Sequence, residues 1–274
     1  MSVGGMLLIV AAVLCLAALG YMRIESHWVE VDEQVMQVPG LPAAFDGGKI
    51  AFITDLHADS ANDQAFMEKQ MQIINRYNPD IVLLGGDYAD SESAERAVFK
   101  VFENLQHGLG VFTVRGNHDV RAAGDAFWGI ARASSVTPMQ NEAFRVEKNG
   151  QYITIAGVDD FIRGESNPSA ALKNVNKDDF CLFLAHEPDS VLQAQKEGVL
   201  DKVDLAFVGH THGGQISLFG LWSPFAERQT PGIGSQWIAI GPTPTLYSNG
   251  LGQKWNIRFF ARPQIHIITL QAAA

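Results

Sequence analysis

The chain has 274 residues, enough for one large domain or two small ones, and its 47% hydrophobic content argues against a disordered protein. The 20 basic and 30 acidic residues give a formal charge of −10, which repels phosphate backbones. We therefore expect no nucleic acid among its partners. The two cysteines, Cys15 and Cys181, lie in separate apolar runs, so neither a disulfide scaffold nor a thiolate metal site is indicated.

The run from residue 4 to residue 22 contains no charged side chain. A helix needs about 20 apolar residues to cross a bilayer, so this run is just long enough. A cleaved signal peptide would begin with basic residues, which residues 1–5 lack, and a lipoprotein signal would place a small residue before Cys15, where Leu14 stands. We therefore predict an uncleaved, single-pass anchor in the inner membrane. Arg23 favours a cytoplasmic location for the domain that follows.

Residues 23–48 are predicted to connect this anchor to the rest of the chain and to contain one edge strand, at Val29–Val38. Residues 49–270 are predicted to form a single domain, since no linker divides them. The domain starts with buried strands that alternate with amphipathic helices, a pattern typical of a largely parallel sheet. The predicted strands are 49–54, 80–84 and 110–114, and the predicted helices are 64–77 and 94–105.

The pattern changes in the second half of the domain. Asn149-Gly150 between two alternating apolar runs predicts a β-hairpin. One short helix is expected within 159–178 and another after Pro188. Buried strands are predicted at 180–185 and 204–208, and later apolar segments are expected to form a second, more antiparallel sheet: 216–218, 237–240, 257–260 and 264–270. The prediction is an α/β fold of two stacked sheets with helices outside.

Metal-binding types of side chain follow five of the predicted strands, at the end where α/β folds bind ligands. They are Asp55 and His57, Asp87, Asn117 and His118, His186, and His210 with His212. Each residue alone has an ordinary explanation, such as a helix cap, a turn or a buried histidine. Together they offer oxygen and nitrogen ligands without thiolate, which suits manganese, iron, cobalt or zinc. Because one ion with an open position needs fewer ligands, we predict two divalent metal ions.

The motifs Asp-x-His, Gly-Asp, Gly-Asn-His-Asp, a lone His and Gly-His-Thr-His, in this order, resemble the calcineurin-like metallophosphoesterases. The resemblance implies a four-layer α/β/β/α sandwich, here preceded by one N-terminal transmembrane helix. It also implies hydrolysis of a phosphodiester or pyrophosphate by a hydroxide that bridges two metals. The implied ligands are Asp55, His57 and His212 for one metal, Asn117, His186 and His210 for the second, and Asp87 as the bridge between them.

The resemblance further implies that His118 is the catalytic histidine, which protonates the leaving oxygen or stabilises the transition state without binding metal. Asp90 resembles the carboxylate that orients this histidine in phosphoprotein phosphatases of the superfamily, or it simply precedes the next helix. Arg121, Arg163 and Arg228 lie in predicted loops from which a guanidinium can reach bound phosphate, although loop arginines are ordinarily solvated.

Several features resemble the bacterial membrane-associated phosphodiesterases, a branch that includes UDP-2,3-diacylglucosamine pyrophosphatases of lipid A biosynthesis. They are the apolar N-terminus, Leu41-Pro42, Gly213-Gly214-Gln215 and Asn249-Gly250-Leu251-Gly252. We therefore expect a lipid-linked phosphoester substrate, with 219–237 either walling an acyl chain or forming an ordinary loop. The alternatives are a broad phosphodiesterase or phosphatase for small soluble substrates, and a non-catalytic metal-binding scaffold. A scaffold would have no reason to keep His118.

Overall fold

The structure, a computed structural model, describes residues 2–219, 222–224, 234–252 and 256–273. Within these ranges the strands are β1 Glu30–Val38, β2 Lys49–Ile53, β3 Ile81–Leu84, β4 Gly110–Thr113, β5 Thr137–Pro138, β6 Glu142–Lys148, β7 Gln151–Gly157, β8 Cys181–Leu184, β9 Leu205–Val208, β10 Gln236–Ile240, β11 Thr243–Tyr247 and β12 Gln264–Ala272. The α-helices are α1 Val3–Glu25, α2 Ala61–Asn75, α3 Glu92–Phe102, α4 Asn117–Ala123, α5 Ala126–Ala133, α6 Pro168–Ala171 and α7 Pro188–Lys196.

The strands form two sheets of six. The first sheet has the order β1-β12-β2-β3-β4-β5. It is parallel from β2 to β5, and β12 pairs antiparallel with β2 and parallel with β1. The second sheet has the order β10-β11-β9-β8-β7-β6, with four parallel central strands and an antiparallel pair at each edge. Both sheets therefore deliver the carboxyl ends of several parallel strands, where ligands bind in α/β folds.

Three apolar layers hold the sheets and helices together. Successive side chains of a strand point to opposite faces, so in β2 Ile50 and Phe52 pack between the sheets with Leu182. Ala51 and Ile53 of the same strand pack on the other face, in the layer that includes α2 and α3. A third layer lies between the second sheet and the helices α6 and α7. This order of layers confirms the predicted α/β/β/α sandwich.

Two predictions about the second sheet were wrong. Segment 264–270 belongs to β12, which lies in the first sheet. Segments 216–218 and 257–260 make only isolated bridges and are not strands of the second sheet. That sheet has two antiparallel strand pairs against one in the first sheet, so it is the more antiparallel of the two, as predicted. An apolar run with strand propensity shows that a strand is buried, but it carries no information about which of two stacked sheets that strand joins.

The short connections follow the local sequence closely. The hairpin predicted at Asn149-Gly150 joins β6 to β7, and both turn residues have positive φ, 52° and 76°. A two-residue type I′ turn requires this conformation, which asparagine and glycine adopt at low cost. The helix expected within 159–178 is α6, and α7 begins at Pro188, whose fixed φ and missing N–H suit the first position of a helix.

Helix α1 is apolar on all sides, with a mean hydropathy of 2.6, and its most apolar window packs against nothing else in the described chain. Its 23 residues span about 34 Å at 1.5 Å per residue, so it could cross a membrane. Among the residues that the structure describes, the contacts between α1 and the domain come from the last turns of the helix. The rings of Tyr21 and Phe259 meet edge to face at 5.8 Å, and the Glu25 carboxylate accepts a 2.8 Å hydrogen bond from the Ala261 N–H.

Candidate metal centre

The loops that follow β2, β3, β8 and β9 meet at one edge of the sandwich and bring six of the seven predicted ligands together in two groups. The nitrogen and oxygen donors of the first group all lie within 4.8 Å of one another, and so do those of the second. The first group is Asp55, His57 and His212, and the second is Asp87, His186 and His210. Aspartate and histidine residues are therefore placed to bind metal ions.

Asp87 lies between the two groups. Its Oδ2 is 3.7 Å from His57 Nε2 on one side and 3.3 Å from His186 Nε2 on the other. The imidazoles are also close, because His57 Nε2 lies 3.1 Å from His212 Nε2, and His186 Nε2 lies 3.3 Å from His210 Nδ1. Nitrogen lone pairs at such distances repel each other unless a proton or a metal cation lies between them.

Five of the seven predicted ligands have a left-handed backbone, which is uncommon for residues other than glycine. The φ angles are 54° at Asp55, 46° at His57, 57° at Asp87, 68° at His210 and 49° at His212. Such conformations cost free energy and persist where the surrounding structure enforces them, typically at functional sites. The left-handed backbone at these five residues accompanies the convergence of their side chains in the cluster.

The remaining two candidate ligands, His186 and Asn117, differ in their hydrogen bonding. His186 Nδ1 lies 2.8 Å from the Gly85 carbonyl oxygen, which can only accept, so Nδ1 carries a proton and Nε2 faces the cluster. Asn117 Oδ1 is buried and has no hydrogen-bond partner in the part of the chain that the structure describes. A buried acceptor without a partner is costly. A cation at this point would satisfy it, so the residues present fit metal ions.

The pKa shifts of Asp87 and His212 favour metal binding, whereas that of His186 opposes it. Burial alone would raise the pKa of Asp87, but His186, with help from His57 and His118, lowers it far below its usual range. Burial lowers the pKa of the His212 imidazole well below its ordinary value. Ionised carboxylate and neutral imidazole are the forms that bind metals. His186 differs, because Asp87 overcomes the effect of burial and raises its pKa, so a metal would compete with a proton there.

His118 and Asp90 form a second arrangement beside this cluster. Asp90 Oδ1 contacts His118 Nδ1, and the Arg121 guanidinium contacts the same oxygen. The His118 N–H donates a 2.8 Å hydrogen bond to Asp87 Oδ1, and its ring meets that of His57 at 4.7 Å. Burial alone would raise the pKa of Asp90, but the hydrogen bond and charge of His118 lower it. The structure therefore places Asp90 where it can orient His118.

The arginines that were predicted to lie in loops have different environments. Arg121 lies in α4, so that prediction was wrong, and it contacts Asp90 as described. Arg163 does lie in a loop, where its backbone N–H donates to Asp160. Arg228 lies outside the described residues. Of the three, Arg121 is the one whose guanidinium is shown beside the cluster.

Asp119 holds two of the ligand-bearing loops together. Its carboxylate accepts hydrogen bonds of 2.7 Å from the N–H groups of Asp87, Tyr88 and Gly116. Burial, with the charge of Asp87, raises the pKa of Asp119 to about 7. Sequence reasoning missed this role. The signal was an acidic residue at the third position of α4, from which a capping side chain reaches back to the residue before the helix.

A cavity of about 650 Å³ opens beside the cluster. Its lining includes polar residues, namely His57, Asp59, Asp63, Asp90, His118 and Arg121, and apolar residues, namely Leu56, Phe66, Met67 and Leu251. His27, two residues after the end of α1, also lines the cavity. No described residue of 219–237, the predicted acyl wall, does so, and residues 220–221 and 225–233 lie outside the described part of the chain.

Replacement of Gly116 by alanine is expected to weaken metal binding by about tenfold or more, because shifts in supporting residues cost that much. A β-carbon at Gly116 would lie 2.8 Å from two ring carbons of His186 and would also overlap Asp87 Oδ1. Equilibrium dialysis against Mn²⁺ measures the effect. Gly129→Ala, on α5 where an added β-carbon meets nothing within 4 Å, is the matched control and should bind metal normally. Equal metal affinity of the two variants would contradict the expected crowding.

Residues 48–214 match the family model of the calcineurin-like phosphoesterases. This match covers more than half of the chain and includes all seven candidate metal ligands. The protein therefore belongs to the calcineurin-like phosphoesterase family, and it is a hydrolase of phosphoester bonds.

Three relatives illustrate the range of similar proteins. The uncharacterized metallophosphoesterase YkuE of Bacillus subtilis (strain 168) is 29% identical over 264 residues, which cover 92% of this chain and 90% of that protein. Phosphodiesterase YaeI of Escherichia coli (strain K12) is 28% identical over 229 residues and covers 81% of this chain and 82% of its own. A transmembrane protein with metallophosphoesterase domain from Bos taurus is 26% identical over 85% of this chain, which spans 55% of that longer protein.

Proposed function

We propose that this protein hydrolyses phosphodiester or pyrophosphate bonds with the help of two divalent metal ions. The observation that carries the proposal is the position of Asp87, whose carboxylate lies between two groups of metal-binding side chains, while His118 lies against it. The similarity to phosphodiesterase YaeI supports cleavage of a diester. A non-catalytic scaffold would not need His118 and Asp90 to be joined beside the cluster.

The seven clustered residues would hold the metals in the order that the family resemblance implies. One ion would bind Asp55, His57 and His212, the second would bind Asn117, His186 and His210, and Asp87 would contact both. Two such ions, whether manganese, iron, zinc or cobalt, supply an activated water at neutral pH and offset the negative charge of the phosphoryl group.

His118 would act on the leaving oxygen. Because Asp90 accepts at Nδ1, that nitrogen carries a proton, and the opposite nitrogen of the ring is the one that can donate toward a substrate in the cavity. Arg121 contacts the same Asp90 oxygen and lines the cavity, so its positive charge favours binding of a phosphate there.

The substrate that we favour is a lipid-linked nucleotide such as UDP-2,3-diacylglucosamine. Residues 4–22 would anchor the protein in the inner membrane. Residues 23–48 would connect this anchor to the catalytic domain, which would consist of residues 49–270 and face the cytoplasm. The cavity supports this choice, because its lining includes His118, apolar side chains and His27, which follows the end of α1 by two residues. A site that begins where the apolar helix ends would lie near the headgroups of a bilayer that the helix crosses.

The experiment is hydrolysis by the purified full-length protein, in micelles with added Mn²⁺, of UDP-2,3-diacylglucosamine against bis-p-nitrophenyl phosphate. We expect kcat/KM to be at least about tenfold higher for the lipid nucleotide, since its buried acyl groups add binding free energy. His118→Ala is the control for contaminating activity. Turnover of the small diester alone would favour the broad phosphodiesterase, and turnover of neither would favour the scaffold.

A further inference from the structure

Arg258 is a fully buried arginine that lies beneath one half of the metal cluster. Its Nη1 donates a 2.8 Å hydrogen bond to the Ala261 carbonyl, and its Nη2 donates to the carbonyls of Gly252 and Gly250, the latter at 3.4 Å. The same Nη2 lies 3.4 Å from Nδ1 of His212. Like the contact with Gly250, this one is longer than a strong hydrogen bond, and it brings the guanidinium directly against the imidazole of a candidate metal ligand.

The carbonyls that Arg258 binds belong to the segment that packs on Asp55. The Gly252 N–H donates a 2.7 Å hydrogen bond to the Asp55 carbonyl oxygen. Gly250 has a φ of 72°, and a β-carbon there would lie 2.6 Å from the Asp55 Cβ, so the two backbones are in close contact. Arg258 thus contacts His212 directly and Asp55 through this segment. These two residues belong to one of the two donor groups.

A charge in this position is expensive, which argues that it serves a purpose. No carboxylate lies within ion-pair distance of Arg258 among the residues that the structure describes, and its Nε has no hydrogen-bond partner there. Burial lowers the pKa of Arg258 to about 10, while Asp55 and Glu25 oppose that shift, so the guanidinium stays charged at neutral pH. Burying an arginine whose partners are mainly carbonyl oxygens costs more desolvation free energy than burying an apolar side chain of similar size.

The backbone around Arg258 is joined to the end of the apolar helix. The Arg258 N–H donates a 3.1 Å hydrogen bond to the Met22 carbonyl, and the Ala261 N–H donates to the Glu25 carboxylate at 2.8 Å. Glu25 is itself buried, although it ends a helix that is otherwise exposed. The last turn of α1, the Arg258 segment and the His212 side of the cluster therefore form one connected unit.

We propose that Arg258 is a positioning residue that fixes His212 and Asp55 for the metal they would share, and that it ties this half of the site to the C-terminal end of α1. The inference rests on the metal ligation in the proposed function. Arg258 acts through other residues and does not line the cavity where a substrate would bind.

The test is Mn²⁺ binding by the full-length protein and by Arg258→Met, measured by calorimetric titration of the metal-free proteins and by electron paramagnetic resonance. We expect wild-type protein to bind two ions and to show the spectrum of a coupled pair. Arg258→Met should bind one ion normally and the other about 10- to 100-fold more weakly, the usual effect of removing a support of a metal ligand. At low Mn²⁺ its spectrum should be that of a single, uncoupled ion.

Arg262→Met is the matched control. Arg262 contacts the segment just after α1, through a 3.1 Å hydrogen bond to the Trp28 carbonyl and a guanidinium 4.4 Å above the Trp28 ring. Neither contact joins Arg262 to the donor groups, so Arg262→Met should bind both ions normally.

Arg258→Lys keeps the charge but not the planar guanidinium, and it should lose less affinity for the same ion than Arg258→Met does. Glu25→Ala tests the link to α1, and its affinity for the ion that Asp55 and His212 would share should fall by about threefold or more.

Several results would overturn the proposal. Normal affinity for both ions in Arg258→Met and Arg258→Lys would remove the positioning role. Equal weakening of both ions, together with a lower melting temperature of the metal-free protein, would show only general destabilisation. Normal binding in Glu25→Ala would remove the link to α1. If Arg258→Met does not fold, Arg258→Lys and Glu25→Ala still decide the outcome. If the wild-type protein binds no metal, the proposed function is overturned as well. If the wild-type protein binds two ions and the Arg258 variants bind both with the same affinity, this inference alone is overturned.

Discussion

Replacement of Asp87 by asparagine is expected to lower turnover by roughly 10³-fold or more. Removing a single group that stabilises the transition state typically has an effect of this size or slightly smaller. Asp87 is the residue whose carboxylate faces both donor groups, at 3.7 Å from His57 and 3.3 Å from His186. Asparagine has the same shape and can keep the hydrogen bond from the His118 N–H, but it lacks the charge that holds divalent cations. Metal analysis of the purified variant should therefore find fewer than two ions.

Asp159→Asn is the matched control for Asp87→Asn. Asp159 is also a buried aspartate, but it pairs with Arg115 at 2.6 Å and is not a member of the donor groups. Its replacement breaks a buried ion pair, so the melting temperature should fall, while the two metals and the turnover persist. Full activity with two bound metals in Asp87→Asn would show that this carboxylate is not the bridge between them.

Replacement of His118 by alanine is expected to lower kcat by about 10²- to 10⁴-fold, the usual contribution of a positioned acid. Metal binding should be unchanged, because His118 is not one of the seven candidate ligands, although with His57 and Asp90 it forms a third group of donor atoms within 4.8 Å of one another. The loss should be smaller for a diester with a p-nitrophenol leaving group than for one with an alkyl leaving group, since the poorer leaving oxygen depends more on a proton.

A histidine remote from the cluster provides the comparison for His118. His107 is exposed and lies before the start of β4, whereas the ligand-bearing loop follows the opposite end of that strand, so His107→Ala should retain kcat and both metals. A His118→Ala protein that keeps full activity toward both diesters would contradict the proposed role of this residue. If His118→Ala loses both its metal ions and its activity, His118 supports the metal site and does not act as the acid.

The sequence was most informative where buried parallel strands end in polar residues. Asp55 and Asp87 follow short apolar strands, and a parallel topology brings all such ends to one edge, so the amino-acid pattern alone locates the site. The left-handed backbone at these residues could not be predicted, because it results from tertiary contacts and not from local preference. For the same reason the pairing of β12 with β1 and β2, more than 200 residues away, was not visible in its apolar pattern.

Arg258 shows a different limit of sequence reasoning. It lies in an apolar segment that predicts a strand, and an arginine there would ordinarily be expected at the surface. Three of its four partners are nearby backbone carbonyls, of Gly250, Gly252 and Ala261, and the fourth is the imidazole of His212, 46 residues earlier in the chain. The apolar wall of the cavity is similar, since Phe66 and Met67 belong to a helix stripe that is typical of a core, and only the folded structure places them beside His27.

The most direct test of a dinuclear metal hydrolase is the activity of the full-length protein as a function of bound metal. Metal-free protein, prepared with a chelator, is titrated with Mn²⁺ while hydrolysis of bis-p-nitrophenyl phosphate is followed. We predict no hydrolysis without metal and a maximum when two ions are bound per chain. Hydrolysis by metal-free protein, or a maximum at one ion, would contradict the two-metal site.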